Sequence, residues 1–447
     1  MSMAIDGLVS GLDTTSLINS LMQLEAVPQA LLQRKVSEST TFISALQGLN
    51  SSIAGLATLA TKTAKDGAFD VYSASSSSTA AAVTATTGAS AGQIDIVVDQ
   101  LAQRQVSVSD ARAAWPSSSF TITTGGNAVE IKASSTNLDD IVTAVNASSA
   151  GVTAVKVSAG VDGSGANLYR VQFSASSTGA AGAFTVDQPD ESGNPMMVDT
   201  RVAQDAKVTL WAGTSAAQSI SSATNTFDNL LPGVTVTATK ASAESVSITV
   251  SRDDAAISTM ASDLVSSLNG VLALISTKSA VVNSTNSSGA AVLSSGPFTG
   301  DSTIRDVNQR LLSAASAPVD GRSPSEIGII ISKSGTMEFD ATKFAAALKA
   351  DPARVEATMK EIASRIADTS TNASDKYDGQ ITSRITGQES MVKDLGNQIM
   401  DWDRRLASRR STLERTYSAL EVQLSAMNSQ SSWLTSQLSA LTNSKSN

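Results

Sequence analysis

Nothing constrains this chain more than the apolar residues at every seventh position near its C-terminus: Ile385, Val392, Ile399, Leu406, Leu413, Leu420, Met427, Leu434 and Leu441. A seam of that period predicts one long helix laid against another. The intermediate positions begin apolar at Leu395 and Trp402, then turn polar at Arg409, Thr416, Gln423 and Gln430, while Tyr417, Leu424 and Leu438 fall one place later. The stripe thus drifts as a 3.6-residue helix drifts against a 3.5-residue repeat. From Ile385 to Leu441, such a helix reaches about 85 Å at 1.5 Å per residue, too long to be buried in one compact domain. Its seam needs a cover.

The opposite end of the chain offers one. Ile5, Leu8, Val9, Leu12, Leu17, Ile18, Leu21, Met22 and Leu24 crowd one helical face. Asp13 is placed to cap the helix holding Leu17 and Leu21, and Pro28 is expected to interrupt it. A second helix follows, with Phe42, Leu46, Leu49, Ile53 and Leu56 at alternating fours and threes. This seam is of the same type as the C-terminal one, so the two ends can cover each other.

Between the ends the texture changes. From Phe69 the chain is rich in Ser, Thr and Ala, and Ile94, Ile96 and Val98 alternate with Asp95 and Asp99 as in a half-buried strand. Phe120–Thr123 and Val129–Ile131 flank Gly125-Gly126-Asn127, a hairpin signature. Leu138, Ile141, Val142 and Val145 then have helical spacing behind a capping Asn137. Further strands are predicted at Val152–Val157, Leu168–Phe173, Phe184–Val186, Val208–Trp211, Val234–Thr237 and Val246–Val250. Helical spacing returns from Ile257 to Ile275, at Ile304–Leu311, at Phe344–Leu348 and at Val355–Ile366. The polar run Asn283–Ser288 reads as a loop, and Asn372–Gly379 as a hinge into the last helix. The order helix, β, helix predicts an α+β multidomain chain: a discontinuous helical coiled-coil stalk formed by both ends, with inserted mainly-β head domains.

Composition removes several chemistries. There is no Cys and no His among the 447 residues, which leaves no disulfide, no thiolate or imidazole metal ligand, and no imidazole base for a serine. Lack of Cys suits an oxidising exterior. A net charge of −9 supplies no basic field for a nucleic-acid backbone. No run approaches the roughly 18 apolar residues of a membrane span, and the N-terminus lacks the pattern of a cleaved signal. No cofactor, metal or membrane insertion is expected.

Three constellations have bland readings. Gly160–Gly165 lies between two strands without the Lys-Ser/Thr and helix of a phosphate loop, so it reads as a hairpin turn. Asp139/Asp140 and Asp253/Asp254 stand at helix starts, where acids serve the helix dipole. Asp187, Asp190, Glu191 and Asn194 do not have the spacing of an EF-hand. The dense basic run Arg404, Arg405, Arg409, Arg410 and Arg415 has acidic neighbours one turn away, such as Asp401 for Arg405 and Glu414 for Arg410. Arg409 is the exception, since it falls in the seam. Trp402 lies on the apolar stripe and reads as core; Trp433 is open to a partner.

The N-terminal Gly7-Leu8, Ser10-Gly11-Leu12-Asp13, Leu17-Ile18, Leu21-Met22, Glu25 and Pro28 resemble the signature of the flagellar filament cap family, also called flagellar hook-associated protein 2. The similarity continues at Gln100-Leu101-Ala102, at Ser174–Gly179 with the preceding Leu138, Ile141, Asn146 and Gly151, and at Ser222–Phe227 with Gly233-Val234-Thr235. It is completed by Gly300-Asp301-Ser302-Thr303-Ile304-Arg305, Glu326–Ile329, Gly335–Asp340, and Tyr417, Leu420, Met427–Gln430 and Leu434. The bland Ser73–Ser78 and the loops Trp115–Ser119 and Pro189–Pro195 match nothing in the pattern.

The resemblance implies an extracellular, homo-oligomeric cap of about four to six subunits, a pentamer favoured. It would sit at the distal tip of the flagellar filament, reached through the flagellar secretion channel without a cleaved signal peptide. There it would retain exported flagellin and promote its folding and insertion, without catalysis. Implied partners are itself, flagellin and the filament tip, the hook-associated junction proteins, and an export chaperone at the C-terminal helix. Implied divisions are 1–40 (filament insertion), 41–68 (stalk helix), 69–110 with 203–252 (first β head), 111–202 (second β head), 253–378 (helical leg) and 379–447 (C-terminal helix).

The expected filament and stalk interface comprises Ile5, Leu8, Leu12, Leu17, Leu21, Phe42, Leu46, Leu49, Ile53, Leu56, Ile399, Trp402, Leu406, Leu413, Leu420, Met427, Leu434 and Leu438. Arg409, Arg410, Gln423 and Gln430 are candidate polar contacts between subunits. Two alternatives stay open: a hook–filament junction or adhesin-like extracellular protein, and a polysaccharide-cleaving enzyme on a β scaffold.

Overall fold

The computed structural model describes residues 13–86, 88–188, 196–285 and 288–443. The chain divides into two compact units, one from the described parts of Met1–Asp66 and Ser258–Asn447, the other Gly67–Ile257.

The chain opens on two helices, α1 (Thr14–Glu25) and α2 (Val27–Thr63). Asp13 caps α1 by accepting the Ser16 N–H at 2.7 Å. The interruption expected at Pro28 is present two residues earlier, at Ala26. Pro28 sits in the first turn of α2, where its missing N–H is no loss, and only Ala26 separates the two helices. Even the Ala26 N–H still donates to the Met22 carbonyl at 2.9 Å.

Next in order come β1 (Tyr72–Ser76), β2 (Ala81–Ala85), β3 (Gly92–Gln100), β4 (Val106–Ser109), β5 (Ser119–Thr124), β6 (Asn127–Lys132), α3 (Leu138–Ala147), β7 (Val152–Val161), β8 (Asn167–Ala175), β9 (Phe184–Asp187) and β10 (Met197–Arg201). Five more complete this unit: β11 (Ala206–Leu210), β12 (Gln218–Ser222), β13 (Thr226–Leu231), β14 (Val234–Ala238) and β15 (Ser242–Arg252). The named pairs are antiparallel.

Sheets β1-β15-β3-β11-β12 and β13-β14-β2 enclose one core. Its alternation is the one read from the sequence: Ile94, Ile96 and Val98 point in, with Val208, Phe227, Val236 and Ile248, while Asp95 and Asp99 face water. Sheets β10-β4-β8-β7 and β6-β5-β9 enclose a second core with α3. Trp115 anchors it, its ring 5.6 Å from Phe120 and 5.8 Å from Phe173. The loop Trp115–Ser119, which matched no pattern, thus begins on a core residue. The β5–β6 turn runs through Gly125 (φ 56°) and Gly126 (φ 82°), left-handed positions that favour glycine. The loop from Pro189 to Pro195 lies outside the described residues.

The remaining elements are α4 (Asp254–Ser279), β16 (Val281–Thr285), β17 (Ala291–Ser295), α5 (Ser302–Ser316), β18 (Ile329–Ile331), β19 (Met337–Phe339), α6 (Ala341–Ala350), α7 (Pro352–Ser374) and α8 (Gln380–Asn443). The run from Asn283 read as a loop is half of a hairpin, β16–β17. α2 packs along both α7 and α8. Leu46, Leu49, Ile53 and Leu56 are fully buried, as are Val355 and Met359 of α7. At roughly 1.5–3 kcal/mol for each such side chain taken from water, this packing holds the unit together. α4 is apolar and long enough to pass for a membrane span, but Ala261, Leu264, Leu268 and Leu272 are buried in the protein. Asn269 ties α4 to β19, donating to the Met337 carbonyl at 2.6 Å and accepting its N–H at 2.8 Å.

α8 has 64 residues, about 96 Å at 1.5 Å per residue. The fold is α+β multidomain: a discontinuous helical coiled-coil stalk built from both chain ends, with mainly-β head modules inserted in the sequence.

Candidate functional site

The feature that singles out α8 is the gradient of cover along it. Ile381 is fully buried and Leu395 nearly so. Ile399, Trp402, Leu406 and Leu413 are half-buried, where α2 and then α1 lie against the helix. The cover ends around Glu421, which is buried, as are Ile18 and Thr14 of α1. Beyond it Met427 is 65%, Trp433 62% and Leu438 63% exposed. The heptad period persists into this exposed stretch.

Polar contacts set α1 and the first turn of α2 on α8. Arg409 Nε donates to Glu25 Oε1 at 3.3 Å, Arg410 to Asn19 Oδ1 at 3.1 Å, and Gln29 Nε2 to Asp403 Oδ1 at 2.5 Å. Arg410 also reaches Glu414 at 3.0 Å, the pairing its spacing suggested. Asp401 pairs with Arg404 instead of Arg405, whose guanidinium lies over the Trp402 ring at 5.4 Å. Arg409 and Arg410 therefore already have partners in their own chain, yet both stay about half-exposed.

Not all the candidate interface residues share one surface. Leu46, Leu49, Ile53 and Leu56 are sealed inside the helical unit, so their first role is to hold α2 in place. Phe42 is half-buried, edge-on to Phe298 at 5.9 Å and beneath the Arg384 guanidinium. Leu17 is exposed and Leu21 half-buried. Leu420, Met427, Leu434 and Leu438 are exposed, as are Gln423 and Gln430. Ile5, Leu8 and Leu12 lie outside the described residues. Trp402 is not sealed in a core; with Pro28, Leu31, Leu32 and Gln398 it lines an open groove of about 480 Å³ between α2 and α8. Sequence reasoning missed Asn19 and gave Glu25 no partner, because a polar residue that bridges two helices looks like any solvated one until its partner is known.

The chemical candidates resolve into local structure. In the Gly160–Gly165 loop the Asp162 carboxylate accepts the N–H groups of Ser164 and Ala166 at 2.8 and 2.9 Å, occupying the donors a phosphate would need. The Ser164 hydroxyl and those N–H groups hold its pKa below the ordinary carboxylate value. Asp139 pairs with Lys156 at 2.5 Å, Asp254 with Arg252 at 2.5 Å, and Asp253 accepts the Ala256 N–H at 2.8 Å. Of the suggested calcium ligands, all but Asp187 fall outside the described residues.

A helical unit made from both ends of the chain, β modules inserted between them, and an apolar helix end that is exposed among the described residues define a structural assembly protein. Profiles of the flagellar hook-associated protein 2 N-terminus and C-terminus match residues 10–105 and 203–429. The chain belongs to the flagellar hook-associated protein 2 family. It is 28% identical over 383 residues to flagellar hook-associated protein 2 of Escherichia coli (strain K12), covering 79% of each chain. With the A-type protein of Pseudomonas aeruginosa it shares 26% identity over 94% of this chain and 93% of that one. The crystal structure of the D1-D2-D3 domains of the flagellar cap protein FliD from Escherichia coli is similar with a TM-score of 0.58 and 25% identity, over 77% of this chain and 99% of that chain.

Proposed function

We infer that the chain is a flagellar filament capping protein: an oligomer at the distal, extracellular tip of the filament that retains exported flagellin and promotes its folding and insertion. The observation that carries this reading is the stretch of α8 beyond Glu421, a helix whose heptad residues Met427 and Leu434 stand more than half exposed among the described residues. An apolar stripe of that length in water is a site for partner chains. Leu420, Met427, Leu434 and Leu438, with Leu17 and Leu21 and the N-terminal Ile5, Leu8 and Leu12, would supply the burial that seats the terminal segments among filament subunits. Arg409, Gln423 and Gln430 interrupt the stripe with polar groups and Arg410 flanks it, which keeps each contact weak enough to exchange as the filament grows.

On this reading the work is physical rather than catalytic. Segments 1–40 and 379–447 engage the filament, 41–68 and 253–378 form the leg, and the modules 69–110 with 203–252 and 111–202 form the plate over the folding chamber. The ring has about four to six subunits, with five favoured. Further partners are the hook-associated junction proteins and an export chaperone held at the C-terminal helix before passage through the flagellar channel.

The test is a deletion strain complemented with the full chain or with a chain ending at Gln423. The full chain restores filaments. The truncated one leaves unpolymerised flagellin in the medium, measured by immunoblot. Normal filaments with the truncated chain would remove α8 from the proposal, and a deletion strain that keeps its flagellin polymerised would remove the capping function itself.

A further inference from the structure

The hairpin β16–β17 is unlike every other strand pair in the described residues, because every residue of both strands is exposed. Its register sets Val282 opposite Ser294 and Ser284 opposite Val292, so Val282 and Val292 share one face; Val281 and Leu293 share the other. Leu293 is 75% exposed, Val282 54% and Val281 53%. A two-stranded hairpin is marginal in water by itself, and this one has no buried face. Among the described residues no third strand joins either edge.

Charge points to the occupant. Every residue from Ser279 to Gly300 is uncharged, so these edges lack the lysines with which soluble proteins keep strand edges apart. The chain as a whole carries −9, and two copies approaching along their charged surfaces repel. At the hairpin a second copy brings no like charge with it. An acidic or basic partner, by contrast, finds nothing here to pair with.

We propose that this hairpin is an interface between copies of the chain, with β17 of one copy lying along β16 of the next and continuing the antiparallel alternation. Using two different edges makes the contact head-to-tail, the kind that closes into a ring. The proposal rests on the oligomeric reading above and adds the surface that links neighbours. Each junction covers aliphatic groups now in water and pairs backbone groups along both edges.

The test is sedimentation velocity of the full-length chain over a concentration series, comparing wild type, Val282→Lys with Leu293→Lys, and a control Ala216→Lys on an exposed turn of the β unit. Wild type and control associate alike, while the double variant needs about tenfold more protein or more to reach the same oligomer fraction. Its helical circular dichroism and melting stay unchanged, because the hairpin side chains support no core. A double variant that associates like wild type overturns the hairpin interface and leaves the oligomeric reading standing. A wild-type chain that stays monomeric throughout removes both. A double variant that assembles normally but releases flagellin at filament tips gives the hairpin to flagellin and overturns the proposal as well.

Discussion

Arg409 of α8 donates to Glu25 of α1 at 3.3 Å, joining residues 384 positions apart in the chain. The pair marks where the first helix lies on the last, one turn before Leu413 and short of the point where cover ends. Both side chains are about half-exposed, and such pairs contribute about 0–1 kcal/mol. The bond sets register more than stability.

Arg409→Leu is therefore expected to cost less than about 1 kcal/mol of unfolding free energy while completing the apolar run from Trp402 through Leu406 to Leu413. Self-association tightens and swimming is impaired, read by sedimentation and motility plates. Unchanged association and motility would return Arg409 to a purely intramolecular role.

Buried and exposed members of the seam should separate cleanly. Ile53→Ala removes a fully buried side chain and lowers the stability of the helical unit by about 2–5 kcal/mol. Met427→Ala, on the uncovered part of α8, stays within about 0.5 kcal/mol but weakens filament capping. Urea melts and a flagellin-release assay read the two effects; equal melting of both variants would contradict the burial gradient.

Gly233→Ala tests the first β core. Gly233 has φ 67°, and a Cβ there would stand 2.4 Å from the Ala89 nitrogen and 2.7 Å from the Gly88 carbonyl carbon. The neighbours are backbone and cannot swing aside. The substitution is expected to cost roughly 1–3 kcal/mol in the β unit, seen as a lowered melting step in that unit while the helical step stays in place.

The turn between α7 and α8 should respond to acid. The Asp375 carboxylate accepts the N–H of Asp378 at 2.9 Å and of Tyr377 at 2.8 Å, which holds its pKa below the ordinary carboxylate value. A depressed folded pKa gives a contribution that is present above the unfolded value and lost as pH falls through the folded one. Asp375→Asn should flatten that acid limb in urea melts run from about pH 6 to pH 2. An identical pH profile in the variant would assign the limb to other carboxylates.

Periodicity was legible wherever one residue's neighbours in the chain decide its face. The seam of α8, the stripe of α2 from Leu46 to Leu56, the alternation of β3 and the Asn137-capped α3 all follow from local spacing. The hairpin β16–β17 was missed because Ser, Thr and Asn dominate it and only Val281-Val282 and Val292-Leu293 mark the strands. Pro28 marked the boundary between α1 and α2, since proline is excluded from a helix interior but harmless in a first turn.

The sequence by itself determined that both chain ends are helical, that β modules stand between them, and that no thiol or imidazole chemistry is available. Only the tertiary structure decided that β15 and β3 pair across more than half the β unit, and that α8 is reached by α1 through Glu25 and Asn19 and by α2 through Gln29. It alone showed that, among the described residues, burial along α8 falls away after Glu421. The reason is that a heptad records only that a face is apolar. Whether that face is buried by its own chain or left for another depends on where distant segments end in space, and no local pattern carries that length.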